Sequence, residues 1–242
     1  MLNLFKRGSG VYLGVLCGVA LSSHLRGDTI YDNSANATGG VLILTNSTEV
    51  GDEIILSSTN FSRYLLEFRF EVYGTNTTGA QAFGGSVQAD VRFYLNNGPN
   101  SGNGPSPGTP FYDSGPFAVP FPAFVNGKET FVFSAGTDFP VTGLFLGASG
   151  NPVISNMTWS VQFTGMHPED QVGLTLYSPP TVGGNYNDYW EFNGSLWELK
   201  TNAVPISFGA VMEAVPEPSS GLFLLFSGLG LLLYNRFLRR KS

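Results

Sequence analysis

Alternation of apolar and polar residues along short segments is the feature that most constrains the fold of this chain. From Leu66 to Val72, apolar and charged side chains alternate without a break, which predicts a strand with one buried and one solvated face. The segments around Phe93 and around Val161 alternate in the same way. Between residues 28 and 214 we find no convincing amphipathic helix pattern, so this region is expected to be β-structure.

Shorter segments complete the prediction of strands. Gly, Pro and Asn clusters separate them at the spacing typical of a β-sandwich. Charged residues are sparse at 12%, aromatic residues reach 14%, and the chain has 31 Gly and 15 Pro, a composition that favours strands and turns over helices. We therefore predict an all-β fold, an antiparallel, jelly-roll-like β-sandwich. The shorter candidate strands cover residues 40–45, 52–57, 129–134, 141–147, 171–177, 187–192, 195–200 and 205–213.

The segment from Asn96 to Pro110 contains only Asn, Gly, Pro, Ser and Thr. Such a composition buries little apolar surface, so it predicts a long exposed loop between neighbouring strands. A loop tip without function is favoured over a cap on a ligand site.

Charge is distributed unevenly along the chain. Seven of the 12 Lys and Arg residues lie before Asp28 or after Glu217, whereas all 18 Asp and Glu residues lie between these positions. The middle region thus has five basic and 18 acidic residues, a net charge of −13 against −6 for the whole chain. An acidic surface repels phosphates, so we expect no nucleic-acid partner.

Metal and cofactor chemistry has few candidates. Cys17 is the only cysteine, and His167 is the only histidine after Asp28, which excludes disulfides and a His/Cys zinc site from the middle region. Calcium requires oxygen ligands, but solvated turns are the favoured interpretation of the acidic and amide clusters. We predict no metal and no cofactor; the clusters considered are Glu49, Asp52 and Glu53, and Asn185, Asn187 and Asp188.

Catalytic motifs are absent from the sequence between the termini. This region has no G-x-S-x-G nucleophile elbow, and a Ser-His-Asp triad would have to use His167. A glycoside hydrolase needs only two carboxylates across a cleft, and it remains the less favoured alternative. Glu67 and Glu71 flank Arg69 on one strand face, a pattern typical of surface ion pairs. We therefore expect a protein that is not an enzyme, without catalytic residues.

Aromatic residues cluster in the segment from 185 to 197 among Asn and Asp residues. Asn193-Gly194 predicts a two-residue hairpin turn between two strands. Packing of the aromatic rings in the core is the favoured interpretation. The alternative is a carbohydrate-binding module, since aromatic faces stack on sugar rings, with Tyr189, Trp190 and Trp197 as ligand-binding residues.

The C-terminal tail has three parts in a fixed order. Val215-Pro216-Glu217-Pro218 comes first, and its prolines are expected to exclude this segment from a helix or a central strand. A charge-free run from Gly221 to Tyr234 follows. As a helix it spans only about 21 Å, and it approaches the hydrocarbon thickness of about 30 Å when extended to Leu238 with Arg236 snorkelling. The basic end, expected on the cytoplasmic side, consists of Arg236, Arg239, Arg240 and Lys241. A transmembrane helix is favoured over a buried C-terminal helix.

These three parts resemble the PEP-CTERM sorting signal of exported bacterial proteins, over residues 215–242. The resemblance implies recognition, and cleavage near Pro-Glu-Pro, by an exosortase, a membrane transpeptidase-like enzyme, so that the C-terminal helix anchors the chain at least transiently. It also implies the cell envelope, the cell surface or an extracellular polysaccharide matrix as destination. The implied partners are the export machinery, the exosortase-type protease and the membrane, with polysaccharide as a further candidate.

The N-terminus predicts export as well. Lys6 and Arg7 precede an apolar run from Val11 to Leu21, the pattern of a secretory signal peptide. Cleavage is expected after Ala20-Leu21-Ser22 or after Leu25-Arg26-Gly27. An uncleaved transmembrane helix is the alternative, and Leu16 before Cys17 disfavours lipidation. The predicted organisation is a signal peptide over 1–27, an ectodomain over 28–214 and the sorting signal over 215–242.

Overall fold

The computed structural model describes residues 27–57, 62–101, 104–121, 127–146, 154–201 and 205–216. No α-helix lies in these ranges, and none of their residues form a helix that could span a bilayer. The predicted signal and C-terminal helices fall outside them. The strands are β1 (Asp28–Asp32), β2 (Ala37–Ile43), β3 (Glu49–Ile55), β4 (Ser62–Asn76), β5 (Gln88–Tyr94), β6 (Pro110–Asp113), β7 (Phe117–Ala118), β8 (Lys128–Ser134), β9 (Leu144–Phe145), β10 (Asn156–Thr164), β11 (Asp170–Tyr177), β12 (Gly184–Asn185), β13 (Asp188–Phe192), β14 (Trp197–Thr201) and β15 (Ala210–Pro216).

The strands form two antiparallel sheets, which confirms the all-β prediction. In the first sheet the order is β1-β15-β4-β11-β2. β15 and β11 pair with successive parts of one edge of the long strand β4, and β8 and β9 pair with its other edge. In the second sheet the order is β14-β13-β3-β10-β5-β6, with β12 paired to β3 and β7 paired to β5. Consecutive strands often lie in different sheets, as β2, β3, β4 and β5 do.

Aromatic rings join the two sheets into one core. Phe68 of β4 contacts Phe93 of β5 and Trp159 of β10, with ring centroids 5.1 and 5.2 Å apart. All three side chains are fully buried. Since β4 belongs to the first sheet and the other two strands to the second, the sheets pack face to face.

The predicted alternation in β4 is confirmed from Phe68 to Val72, whose apolar members are buried. It is wrong at Leu66, which stays partly exposed while Leu65 is fully buried. The β4–β15 register shifts here, because Glu213 pairs with Glu67 and Ala214 pairs with Leu65. This bulge moves the inward position by one residue.

Strand β15 continues into the proline-containing segment. Val215 and Pro216 pair with Tyr64 and Ser62 of β4, whereas the prolines were expected to exclude this segment from a helix or a central strand. Pairing with β1 reaches only to Ala214, so the last residues of β15 have a partner on one side. A proline is tolerated at such a strand end because few ladder hydrogen bonds are lost.

The polar segment between β5 and β6 joins neighbouring strands, as predicted. It is not a simple exposed tip. Gly98 N–H donates to Ser106 O at 2.9 Å, Ser106 N–H donates to Pro99 O at 3.1 Å, and Gly108 N–H donates to Leu95 O at 2.9 Å. Ser106 is 4% exposed. Backbone hydrogen bonds therefore order the described part of this segment without apolar burial.

Candidate functional site

Strands β13 and β14 form the hairpin that the sequence predicts, but the two-residue turn expected at Asn193-Gly194 is wrong. Phe192 pairs with Trp197, so the loop has four residues, 193–196. Asn193 N–H donates to Leu196 O at 3.1 Å, and Gly194 has a φ of 91°, which favours glycine at this turn position. The other edge of β13 pairs with β3, where Trp190 lies opposite Gly51. The hairpin thereby extends the second sheet beyond β3.

The three predicted ligand-binding aromatic residues occupy different environments. Tyr189 faces the core, 6.0 Å from Phe208 between ring centroids, and is 8% exposed. Trp190 lies on the opposite face of the sheet and is 2% exposed. Trp197 is partly exposed. Of the three, Trp197 is therefore the residue whose ring is accessible to a ligand.

Trp197 contacts its neighbour across the hairpin and one residue that is distant in the sheet. Its ring centroid lies 5.2 Å from that of Phe192 and 5.4 Å from that of Tyr94. Tyr94 is on β5, four strand spacings from β14, or about 19 Å in a flat sheet. Because the rings touch, the second sheet curls, and its outer face is concave.

A carboxylate network lies on this concave face. Glu49 is 4% exposed, accepts hydrogen bonds from Ser160 Oγ at 2.6 Å and Tyr94 Oη at 2.9 Å, and pairs with Arg92 at 2.9 Å. Arg92 also pairs with Asp90 and, at 2.9 Å, with Asp113. Burial raises the pKa of Asp90 to about 6, although the Arg92 charge opposes this. Glu49, Asp90 and Asp113 therefore all form ion pairs with Arg92.

The acidic cluster in β3 is not a solvated turn, and this interpretation of the sequence was wrong. Strand geometry directs Glu49 and Glu53 to the concave face and Asp52 to the core. Asn185 lies on β12 beside β3, and its Nδ2 donates to Ser207 Oγ. Within the described ranges, no three or more His, Cys, Asp or Glu residues are grouped so that they could hold a metal ion.

Asp52 is the centre of a buried polar cluster that the sequence analysis missed. It is fully buried and accepts hydrogen bonds from Ser207 Oγ and Phe208 N–H, both at 2.9 Å. Asn33 Nδ2 donates to Ser207 Oγ at 2.8 Å. Burial raises the pKa of Asp52 to about 8. These hydrogen bonds connect β3 to two other segments: Asn33, which follows β1, and Ser207 and Phe208, which precede β15.

The only histidine in the ectodomain lies in an exposed turn. The His167 side chain is 50% exposed, and its Nδ1 lies 3.6 Å from Glu169 Oε2. Nearby Asp170 accepts hydrogen bonds from the N–H groups of Gly84, Gly85 and His167 at 2.7 to 3.0 Å. Burial acts to raise the pKa of Asp170, but these donors outweigh it and lower the pKa. Asp170 therefore anchors two loops.

Two surface grooves have carboxylates in their walls, and these carboxylates form ion pairs or hydrogen bonds. One of about 240 Å³ on the first sheet includes Arg69 and Glu71. Arg69 pairs with Glu67 at 2.9 Å, which confirms a surface ion pair on this strand, whereas Glu71 pairs with Lys128 of β8 at 2.9 Å. A cleft of about 360 Å³ between β6 and β8 has Asp113 and Asp138 in its wall. Asp138 accepts from Ser134 N–H at 2.9 Å, and Asp113 pairs with Arg92. The carboxylates of Glu71, Asp113 and Asp138 in these two grooves therefore each have a partner.

Comparison with known proteins identifies the tail. The family described as the PEP-CTERM protein-sorting motif matches residues 214–241, which confirms the resemblance found in the sequence. No curated protein and no solved structure matches the chain. The match covers the tail alone, so it gives a destination at the cell envelope and leaves the role of the two-sheet domain open.

Proposed function

We propose that this chain is an exported, non-enzymatic protein of the cell surface or extracellular polysaccharide matrix, sorted by an exosortase through residues 214–241. The observation that carries this proposal is the sorting motif itself, whose match begins on the last strand of the folded domain. A motif that specifies export and membrane-associated sorting makes the domain the cargo. The predicted signal peptide and transmembrane helix supply the remaining parts of this route.

We infer that the cargo is a jelly-roll-like sandwich. Strand order supports this inference: one sheet contains β2-β11-β4-β8, and the other contains β3-β10-β5-β6. The second strand thus pairs with the eleventh while the third pairs with the tenth, as in a two-stranded ribbon folded over itself. Jelly rolls combine two such sheets in one domain and serve many binding proteins.

The engagement of acidic groups supports a role without catalysis. Glu49 and Asp113 both pair with Arg92, and Asp52 is buried beneath Ser207. A glycoside hydrolase needs one carboxyl group to give a proton and another to face the substrate across a cleft. In the two grooves described above, the carboxylates of Glu71, Asp113 and Asp138 already form ion pairs or accept a backbone hydrogen bond, which supports the role without catalysis.

Loss of the sorting enzyme tests the proposal. In a host strain that lacks its exosortase, we expect the protein to stay in the membrane fraction, whereas the parent strain displays it outside the cell. Glu217→Ala in the parent strain should give the same retention, and Glu213→Ala, four residues earlier, should be sorted normally. Equal display in both strains would contradict the proposal.

Carbohydrate binding is a second candidate function, favoured by one observation. The concave face presents the partly exposed Trp197 beside Phe192, with the polar side chains of Arg92 and Gln162 on the same face. An aromatic ring flanked by hydrogen-bonding groups suits a sugar, because the ring face packs on its C–H groups.

A glycan array tests whether Trp197 binds carbohydrate or only packs against Phe192 and Tyr94. Trp197→Ala should lower the affinity for a bound glycan at least about tenfold, the equivalent of about 1.4 kcal/mol. Tyr186→Ala is the matched control, since Tyr186 is 44% exposed in the segment before the hairpin. Trp190→Ala is expected to impair folding instead of binding because Trp190 is buried. No glycan bound by the wild-type protein would remove this candidate.

A further inference from the structure

The sorting motif and the folded domain share residues. The matched region begins at Ala214, and β15 continues to Pro216. Ala214 is fully buried and Val215 is 6% exposed. Val215 pairs with Tyr64 of β4, and Pro216 pairs with Ser62. The first residues of the motif are therefore part of the first sheet, with no linker before them.

Strand β15 is held on two sides up to the motif. Its neighbours are β4 and β1, and Ala214 pairs with Asp28 at the start of β1. An enzyme that acts on a peptide bond binds its substrate in an extended form, with backbone and side chains free to contact the active site. In the folded domain, Val215 has only one free backbone edge, because the other edge pairs with β4. Its side chain is buried, so Val215 cannot contact an active site as an extended substrate residue does.

We propose that the folded domain sets the N-terminal limit of processing, so that the bond broken lies after Pro216 and β15 stays whole in the mature protein. This inference rests on the proposed sorting function. In the step, the acyl carbon of the cleaved peptide bond passes to water or to an amine or hydroxyl acceptor. The tail leaves with the new amino terminus. Val215 thus has a structural role inside the motif, in addition to any role in recognition.

Mass spectrometry of the C-terminal peptide tests the inference on the native protein released from the cell surface. We expect the C-terminal residue to be Pro216 or a later residue of the tail. A C-terminus at Val215 or earlier would overturn the inference and leave the sorting proposal intact. A C-terminus at Ser242 would overturn both, because no processing would have occurred.

A matched pair of variants tests whether docking of β15 is the cause. Val215→Asp places a charge at a buried position, and Val141→Asp makes the same change at a residue that is 83% exposed. We expect Val215→Asp to give additional C-termini upstream of Pro216, at least about tenfold more abundant than in Val141→Asp, since burial of an unpaired charge undocks the strand. If cells degrade Val215→Asp, the milder Val215→Ala is analysed instead. If the Val215 variant has the same single C-terminus as the wild-type protein, the inference is overturned.

Discussion

Asp52 and Asp170 show how the surroundings of a residue decide the behaviour of its carboxyl group. Burial in the core raises the pKa of Asp52 to about 8. At Asp170, backbone N–H donors outweigh burial and lower the pKa. A pKa shift makes stability depend on pH. The two residues should therefore change the stability of the fold in different pH ranges, Asp52 above pH 3.8 and Asp170 below it.

Asp52→Asn should change the pH dependence of stability. The folded-state pKa is about 8 against an unfolded value of 3.8, so the contribution of Asp52 is full below pH 3.8 and decreases as pH rises to about 8. The free energy of unfolding should fall in this range by up to about 1.4 kcal/mol per pH unit. Asparagine keeps an acceptor for Ser207 and Phe208 without the charge, so the variant should have a flatter profile by urea denaturation. Parallel profiles for variant and wild type would contradict this.

Asp170→Asn is the complementary variant. Because the pKa of Asp170 is lowered, its contribution is present above the unfolded value of 3.8 and is lost as pH falls through the folded value. We expect the variant to lose about 1–3 kcal/mol of stability near neutral pH and to show a smaller further loss in acid. Urea denaturation near pH 7 and near pH 3 measures both effects. Full stability at neutral pH would mean that the Gly84 and Gly85 contacts do not stabilise the fold.

Strand contacts also restrict single positions, and Gly51 of β3 is one of them. A Cβ atom there would lie 2.6 Å from Thr158 Cγ2 and 3.2 Å from Trp159 O of β10. Gly51→Ala should cost about 1–3 kcal/mol through overpacking, measured by chemical denaturation. Gly184→Ala is the control on the same sheet, because its Cβ would meet nothing closer than Ile55 Cδ1 at 3.5 Å. Equal losses in both variants would refute the steric explanation.

At the level of elements, sequence pattern predicted those strands whose alternation is long and undisturbed, such as β5 and β10. It failed at Leu66, because the bulge in β4 depends on pairing with β15. It also failed to predict that Thr158 and Ser160, on the polar face of β10, are fully buried. Curling of the second sheet brings Trp197 over this face, and such a tertiary effect leaves no signal in the strand itself.

For the candidate site, prediction from the sequence was incomplete for the same reason. The aromatic cluster and its hairpin were predictable from Asn193-Gly194 and the neighbouring rings. That Tyr189 faces the core while Trp197 reaches Tyr94 follows only from the position of the hairpin in the sheet. Asp52 had a usable signal, since Val50 and Ile54 two residues away mark the inward face of β3.

At the scale of the whole molecule, the first and last strands of the domain lie side by side. Asp28 at the start of β1 pairs with Ala214 near the end of β15. The predicted signal peptide and the sorting motif therefore adjoin the same end of the first sheet. In the proposed route both are processed at the membrane, so this end of the domain would face the membrane during export. The acidic region between them, with its net charge of −13, would then extend outward.

The intact mass of the native protein, extracted from the cell surface, tests the sorting proposal most directly. The proposal predicts a mass that lacks the N-terminal signal and the tail with Arg239, Arg240 and Lys241, while all residues of β15 remain. A surface protein whose mass still includes the hydrophobic run and the basic end would contradict sorting by cleavage.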